Sequence, residues 1–375
     1  MGPQLLLDKS VLHSLSHAEV YSAHQYFMLV YAPVLFIEIL GDLHKYSEDI
    51  DHSKKTVADY SRKIHPIDSC FTAHYRILLV SNLLGNQVVM DGRPIRIDGR
   101  AIRDSSGHEG VFFEEEPERE ALRRWSKGQF YEAEQVLSGR WRGSTRSINL
   151  ESWLSTKSNV PKAETLDQAL KLSQSIATNP ESQFENLRFI LAQAAVSREW
   201  SNRVYHYWLS QHMPRLCDYA PYASYCLAVF LLFYVALANR LIGHRPTNRV
   251  DLEYLLYLPF CKVFSSGDKV HTSLAPLLLT PEQDYIEKAN LKAELKKLVD
   301  FWSSKSDKER SMFHKSLGPY PPDWSDSFVN QVWTKHMEPR ANYRDIELTP
   351  EAKQRIMEQL RPQMEAVRRK FKTQV

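Results

Sequence analysis

The chain has 375 residues, of which 43% are hydrophobic and 25% are charged, and its formal net charge is +3. This length and composition are typical of one large or two medium globular domains with a buried core. So small a net charge excludes a whole-molecule electrostatic attraction to nucleic acid, and any basic surface must therefore be local.

The cysteines and the N-terminus indicate a reducing environment. No C-x-x-C pair, the spacing typical of zinc sites and redox motifs, is present among Cys70, Cys217, Cys226 and Cys261. The four residues predict buried thiols rather than disulfides. The first residues lack a basic segment followed by a long apolar run, so we expect no signal peptide and a cytoplasmic location.

The first predicted element is a short strand that ends in an acid. Residues 4–7 are Gln-Leu-Leu-Leu, and Asp8 follows them, before Lys9, Ser10 and a helical run from about Val11. Asp8 has two interpretations: it caps the helix that follows, or it is a functional acid at the end of a strand.

The second acid of interest lies inside an apolar helix. Residues 32–43 contain Glu38 among aromatic and aliphatic side chains, with Asp42 one turn later on the same face. A carboxylate in apolar surroundings costs free energy unless a partner compensates its charge. A divalent cation held by several carboxylates would provide that compensation.

The middle of the chain predicts a mostly helical segment over residues 51–215. One hairpin is expected at 87–97, where Asp91-Gly92 supplies a two-residue turn. Residues 119–146 place arginines between aromatic side chains, a combination that suits a phosphate backbone and unstacked bases. The alternative is an amphipathic helix whose aromatic residues belong to the core and whose arginines are solvated.

Residues 219–238 contain no charged side chain and are long enough to span a bilayer. The run includes Pro221 and four tyrosines, and the sequence has no second run of this kind. We therefore predict a buried helix packed against a sheet, and no membrane attachment.

A late helix is predicted to begin near residue 248. Asn248 is a suitable N-cap, which puts Asp251 at the third helical position, and Pro259 is expected to end the helix. A simple interpretation of Asp251 is that its charge complements the dipole of the helix.

A late strand is predicted at residues 261–264. Asp268 follows it on a turn that contains Ser265, Ser266 and Gly267. Since functional sites of open α/β sheets are built at the carboxyl ends of the strands, Asp251 at the helix start and Asp268 at the strand end are expected to converge. The alternatives are that Asp268 is only a turn residue and that His271, just beyond it, is structural.

These acids, taken in chain order, resemble the acidic set of PIN-domain nucleases. The resemblance rests on Asp8-Lys-Ser after the first strand, Glu38, Asp251 at a helix start and Ser266-Gly-Asp268 after a late strand. It covers residues 1–50 and 225–285. The chain departs from the family pattern at Lys9, where Thr or Ser is usual, and at Val270, where a second acid is frequent.

The resemblance implies an α/β fold with a PIN-like core, in which helices flank a central parallel sheet. Residues 1–50 and 216–285 would form this discontinuous core. Residues 51–215 would be a largely helical insertion with one hairpin, and residues 286–375 a helical C-terminal tail.

The implied function is metal-dependent phosphodiester hydrolysis, with RNA favoured over DNA as the substrate. Mg²⁺ or Mn²⁺ would be the cofactor, and the residues that are both metal ligands and catalytic would be Asp8, Glu38, Asp251 and Asp268. Contacts to substrate are expected from Lys9, Ser10, Arg245, Asn248 and Ser266, each of which has an alternative role as a local cap or loop residue.

A different class of function is also compatible with this sequence. The chain would then be a catalytically silent PIN-like module that binds nucleic acid or protein, with its helical regions contacting a partner protein or a second copy. The distinguishing feature is whether the four acids converge or are turned away and paired with basic side chains.

Overall fold

The computed structural model describes residues 2–46, 48–64, 69–97, 99–103, 109–113, 117–151, 160–317 and 319–337, with a few positions between 349 and 358. Within these residues the central sheet has five strands, β1 Gln4–Leu7, β2 Met28–Tyr31, β3 Ser69–Phe71, β6 Val263–Ser266 and β7 Asp284–Glu287. Their order is β3-β2-β1-β6-β7, and every neighbouring pair is parallel. The predicted α/β class with a central parallel sheet flanked by helices is confirmed.

Helices make up most of the remaining described chain. Those before residue 150 are α1 Lys9–Ser14, α2 His17–Tyr26, α3 Pro33–Gly41, α4 Ile50–Lys63, α5 Tyr75–Leu83, α6 Pro117–Trp125 and α7 Glu132–Ser147. The later ones are α8 Leu166–Thr178, α9 Gln183–Gln193, α10 Arg198–Ser210, α11 Leu216–Tyr219, α12 Pro221–Ala238, α13 Asn248–Leu255, α14 Lys269–Leu278, α15 Lys288–Ser303, α16 Asp307–Leu317 and α17 Phe328–His336. The fully buried leucines of β1, at positions 5–7, show that this central strand is covered on both faces.

The sheet has a topological switch point between β1 and β6. From β1 the chain builds β2 and β3 on one side, and it later returns to build β6 and β7 on the other. In a sheet of this kind a crevice opens outside the carboxyl ends of the two strands where the order reverses. Leu7 pairs with Ser265, so the turns that carry Asp8 and Asp268 emerge side by side at this crevice.

The sheet also takes in strands beyond the predicted core segments. β3 pairs with β2 through Val30 and Cys70, although residues 51–215 were expected to lie outside the sheet. β7 crosses the expected boundary at residue 285. Strands of three and four residues are too short to give a clear periodic signal in the sequence.

The predicted hairpin at residues 87–97 is wrong. This segment contains no strand, and it is held along the core by hydrogen bonds such as Ala73 N to Ile95 O at 2.7 Å. Gly92 does adopt the positive φ of a turn, but Pro94 cannot donate to a ladder. The antiparallel hairpin instead joins β4, Gly99–Arg103, to β5, Glu109–Phe113.

The late helix and strand form near their predicted positions with shifted boundaries. Thr247 is the N-cap of α13, and Asn248 is the first helical residue, so Asn248 is not the cap that we predicted. Asp251 remains in the first turn, and the helix ends at Leu255, before Pro259. β6 begins two residues later than expected, because its register with β1 pairs Leu5 with Val263.

α12 is long and apolar enough to cross a membrane, and 67% of it is buried inside the protein. It packs against α5, α8 and α9. The hydroxyl groups of Tyr222 and Tyr225 donate to the carbonyls of Leu256 and Leu255, at 3.0 and 2.7 Å. These contacts agree with the predicted core helix and connect it to the end of α13.

Candidate metal centre

Asp8 lies at the carboxyl end of β1 and is only 1% exposed. It caps α1, because its Oδ1 accepts a hydrogen bond from Val11 N at 2.9 Å. The hydroxyl groups of Ser10 and Ser266 also donate to this carboxylate. The local interpretation as a cap is therefore correct, and it coexists with a place at the centre of the crevice.

The turns after β1 and β6 are connected by hydrogen bonds between them. Gly267 N donates to Ser10 Oγ at 2.9 Å. Ser266 Oγ donates to Asp8 Oδ2 and accepts from Asp268 N at 3.0 Å. Each serine thus aligns the two turns, and a contact of Ser10 or Ser266 with substrate stays a prediction.

His271 is fully buried in the first turn of α14. Its Nε2 is 2.6 Å from Asp251 O, and because a carbonyl can only accept, this nitrogen carries a hydrogen. The Nδ1 atom faces the acids, at 2.7 Å from Ser266 Oγ and 3.3 Å from Asp8 Oδ2. A histidine that donates one ring N–H to a backbone carbonyl, leaving the other nitrogen free for a ligand, is the usual arrangement at metal sites.

Asp8, Asp268 and His271 together form a candidate cation site. Their ligand atoms all lie within 4.8 Å of one another. Carboxylate oxygens suit Mg²⁺ and Mn²⁺, whereas an imidazole is a poorer match for Mg²⁺. The donor set therefore fits Mn²⁺ better than Mg²⁺.

Asp251 and Glu38 are outside this group of three but belong to the same electrostatic environment. Burial raises the pKa of Asp251 to about 7, and the charges of Asp268 and Asp8 add to the effect. Burial also raises the pKa of Glu38 to about 8, with Asp251 and Asp8 contributing. Residue 38 keeps part of its surface accessible, but its carboxyl group lies inside the protein, where Tyr254 OH donates to Oε2 at 2.6 Å.

Asp8 and His271 form a buried ion pair. Burial alone would raise the pKa of Asp8, but the hydrogen bond and charge of His271 outweigh burial and lower it. Burial would lower the pKa of His271, and the Asp8 carboxylate raises it to about 9. Burial and the neighbouring Asp8 raise the pKa of Asp268 to about 6. In the metal-free protein the site therefore combines several acids with one buried imidazolium.

Lys9 pairs with an acid inside the protein, and its predicted contact with substrate stays a prediction. Its Nζ lies 2.7 Å from Asp42 Oδ2 and donates to the carbonyl of Glu38 at 2.9 Å. Arg142 approaches the other oxygen of Asp42 at 3.3 Å. Lys9 thus joins α1 to α3, and Asp42 is a paired structural acid.

The last two predicted substrate contacts lie on the loop before α13 and at the start of that helix. Arg245 is exposed and has no ion-pair partner among the described residues. Its positive charge lowers the pKa values of Asp251 and Asp268, against the larger effect of burial, so Arg245 lies near these acids. Asn248 is 1% exposed, and its amide nitrogen donates to the carbonyl of Gly243.

His271 and Tyr254 were missed as site residues. Each is three positions after a predicted acid, Asp268 or Asp251, on the same helix, and this spacing places side chains on one face. The spacing was visible in the sequence. The sequence could not show that the ring of His271 contacts Tyr254 and Phe264, at 5.4 and 5.2 Å between centroids.

Comparison of the chain with protein-family models, with curated proteins and with solved structures finds no match. The relation to PIN-domain nucleases therefore stays a prediction from the four acids and their order.

Proposed function

We propose that this protein hydrolyses phosphodiester bonds with the help of a divalent cation, and that RNA is its preferred substrate. The observation that supports this most directly is the group formed by Asp8, Asp268 and His271 at the switch point of a parallel sheet. Two further acids with raised pKa values, Asp251 and Glu38, adjoin it. Clustering of acids whose pKa values are raised by burial and mutual repulsion is typical of functional sites.

The cation would be held by the carboxylates of Asp8 and Asp268 and by Nδ1 of His271. Bound there, it supplies positive charge that activates water and stabilises the leaving oxygen of a phosphodiester. Asp251 has a pKa of about 7, so its carboxylate can take a proton from water near neutral pH. Tyr254 orients Glu38 by donating to Oε2.

The substrate class follows from the resemblance and not from the geometry. Asp8, Glu38, Asp251 and Asp268 have the chain order of the PIN-domain set, in which many members cleave RNA. Three of these four acids, Asp8, Asp251 and Asp268, lie at the start of a helix.

Cleavage of labelled single-stranded RNA and DNA, with Mn²⁺, Mg²⁺ or EDTA, tests the proposal. We expect RNA cleavage with Mn²⁺, none with EDTA, and a loss of at least about a hundredfold in Asp268→Asn, since general acid–base and charge contributions are of this size. Asp268 makes no side-chain cap, so this variant should fold. Exposed Glu282→Gln is the matched control and should remain active. Cleavage that is equal in wild type and Asp268→Asn, or absent from both, contradicts the proposal.

A catalytically silent binding module is the second candidate, and one observation favours it. The His271 imidazolium already compensates Asp8, so an internal cation supplies the positive charge that a metal would bring. In that case calorimetric titration with Mn²⁺ gives no heat of binding, while RNA is bound and left intact.

A further inference from the structure

A second concave region adjoins the group of Asp8, Asp268 and His271, which we call the acidic group. It is a cavity of about 370 Å³ between the loop before α13 and the first turns of α13 and α14. Its polar lining consists of Arg245, Asn248, Lys269 and Ser273. Lys269 directly follows Asp268, and Asn248 precedes Asp251 by one helical turn, so the cavity shares the start of α14 with the acidic group and the start of α13 with Asp251.

The charge of this cavity is opposite to that of the acidic group. Arg245 and Lys269 are exposed, and neither has an ion-pair partner within the described ranges. No described side chain caps α14, which leaves the first N–H groups of that helix available. Free N–H groups at a helix start, together with two unpaired cations, form a binding site for a phosphate group.

Asn248 adds a different requirement. The side-chain atom that faces the carbonyl of Gly243 must be Nδ2, because a carbonyl can only accept a hydrogen bond. This assigns the orientation of the amide, so Oδ1 points away from that carbonyl. Oδ1 is buried and has no hydrogen-bond partner within the part of the chain that the structure describes. A buried acceptor without a donor costs free energy, and a ligand that brings an O–H group would remove this cost.

We propose that this cavity binds a ribonucleotide unit next to the scissile phosphate. Arg245, Lys269 and the start of α14 hold a phosphate of the strand, and Asn248 Oδ1 accepts the ribose 2′-hydroxyl. A volume of about 370 Å³ is large enough for one sugar–phosphate unit. This inference rests on the proposed function, and it adds a reason for RNA preference that the acids do not supply, because the 2′-hydroxyl distinguishes RNA from DNA.

Binding without cleavage tests this inference. The probes are a fluorescein-labelled oligouridylate and the matching oligodeoxyuridylate, measured by fluorescence anisotropy in EDTA. We expect wild type to bind the RNA probe about threefold to tenfold more tightly than the DNA probe, because one additional hydrogen bond contributes a free energy of that size. Arg245→Gln and Lys269→Gln should weaken both probes to a similar degree, and each should reduce the slope of log affinity against log salt by about 0.7.

Asn248→Leu should act differently, since it removes the acceptor for the sugar but no positive charge; it also removes the hydrogen bond from Nδ2 to the Gly243 carbonyl. We expect it to lower RNA affinity to that of DNA and to leave DNA affinity and the salt slope unchanged. Asn248→Ala provides a smaller side chain in case leucine disturbs the helix start, and melting curves of both variants confirm folding. Arg188→Gln, an exposed arginine paired with Glu185 on α9, is the control and should change neither quantity.

Two results would overturn the inference. One is equal affinity of wild type for the two probes, and the other is an unchanged salt slope in both Arg245→Gln and Lys269→Gln. Since no metal is present, these results are independent of cleavage. A protein that cleaves RNA but fails this test keeps its proposed function and loses this cavity as the sugar-binding site, and a protein that passes without cleaving is a ribonucleotide-binding module.

Discussion

Two neighbouring regions of this molecule bury carboxylates in different ways. Asp42 is 1% exposed and contacts two cations, Lys9 and Arg142. At the switch point Asp8 and Asp268 lie together with His271 as the internal cation, and Asp251 and Glu38 are near enough for the charges of these acids to raise their pKa values.

The difference is the one expected between a structural acid and the functional acids that we propose. A buried carboxylate that has its counter-ion stabilises the fold as long as the pair is intact, and removing one partner leaves a charge uncompensated. Carboxylates in excess over cations repel one another, and their pKa values rise. The first arrangement has its counter-ions, whereas under the proposed function the second would gain stability from an added cation.

The largest effect that we expect on stability is at the structural pair. Asp42→Ala leaves Lys9 and Arg142 without their shared counter-ion. Because both cations keep some solvent exposure, we expect a loss of about 2–3 kcal/mol, below the range for fully buried pairs. Urea unfolding measures this change. Asp268→Asn is the comparison, and it should not destabilise the metal-free protein, since it removes one of several mutually repelling charges.

An intermediate effect is expected on adding metal. A cation that binds only the folded state stabilises it by about 2.7 kcal/mol at a hundred times its dissociation constant. We expect Mn²⁺ to raise the melting temperature of wild type and of Asp42→Ala, and not that of Asp268→Asn. An equal Mn²⁺-induced rise in wild type and Asp268→Asn would mean that the ion binds elsewhere and that the two regions do not differ in this way.

The positions of Asp8 and Asp268 at the ends of strands could be predicted from the sequence. An apolar run followed by an acid predicted β1 and Asp8, and the same reasoning placed Asp268 just beyond a late strand. Both depend on neighbouring residues only. The sheet order was not predicted, because the three residues of β3 are too few to show a period.

The side chains that pair with these acids could not be predicted from the sequence. The contact between His271 and Asp8 joins positions 263 residues apart, and the pairing of Tyr254 with Glu38 spans 216. Lys9 was expected to face substrate, but its nearest acid is set by the packing of α3 against α1. Sequence pattern predicts which residues stand at the ends of elements, and tertiary packing decides which of them meet.

The smallest effect concerns Glu38, and it depends on pH. Its ordinary pKa is 4.5, and in the folded protein burial raises the pKa to about 8. The folded state therefore binds this proton more tightly than the unfolded state, and stability falls as pH rises from about 4.5 to about 8. Glu38→Gln keeps the shape and can still accept from Tyr254, but it has no proton to lose. Without metal, we expect the variant to match wild type near pH 5 and to exceed it by on the order of 1–2 kcal/mol near pH 8, since solvent screening reduces the full effect of the shift.

Melting curves of both proteins across this pH range, with and without Mn²⁺, provide the measurement. The advantage of Glu38→Gln should shrink when Mn²⁺ is added, because the cation offsets in wild type the same charge that the variant removes. Glu282→Gln, at an exposed position, should follow wild type at every pH. An advantage of Glu38→Gln that does not change with pH would show that Glu38 is already compensated in the folded protein, as Asp42 is. An advantage that grows with pH but does not respond to Mn²⁺ would keep the raised pKa and place the cation away from Glu38.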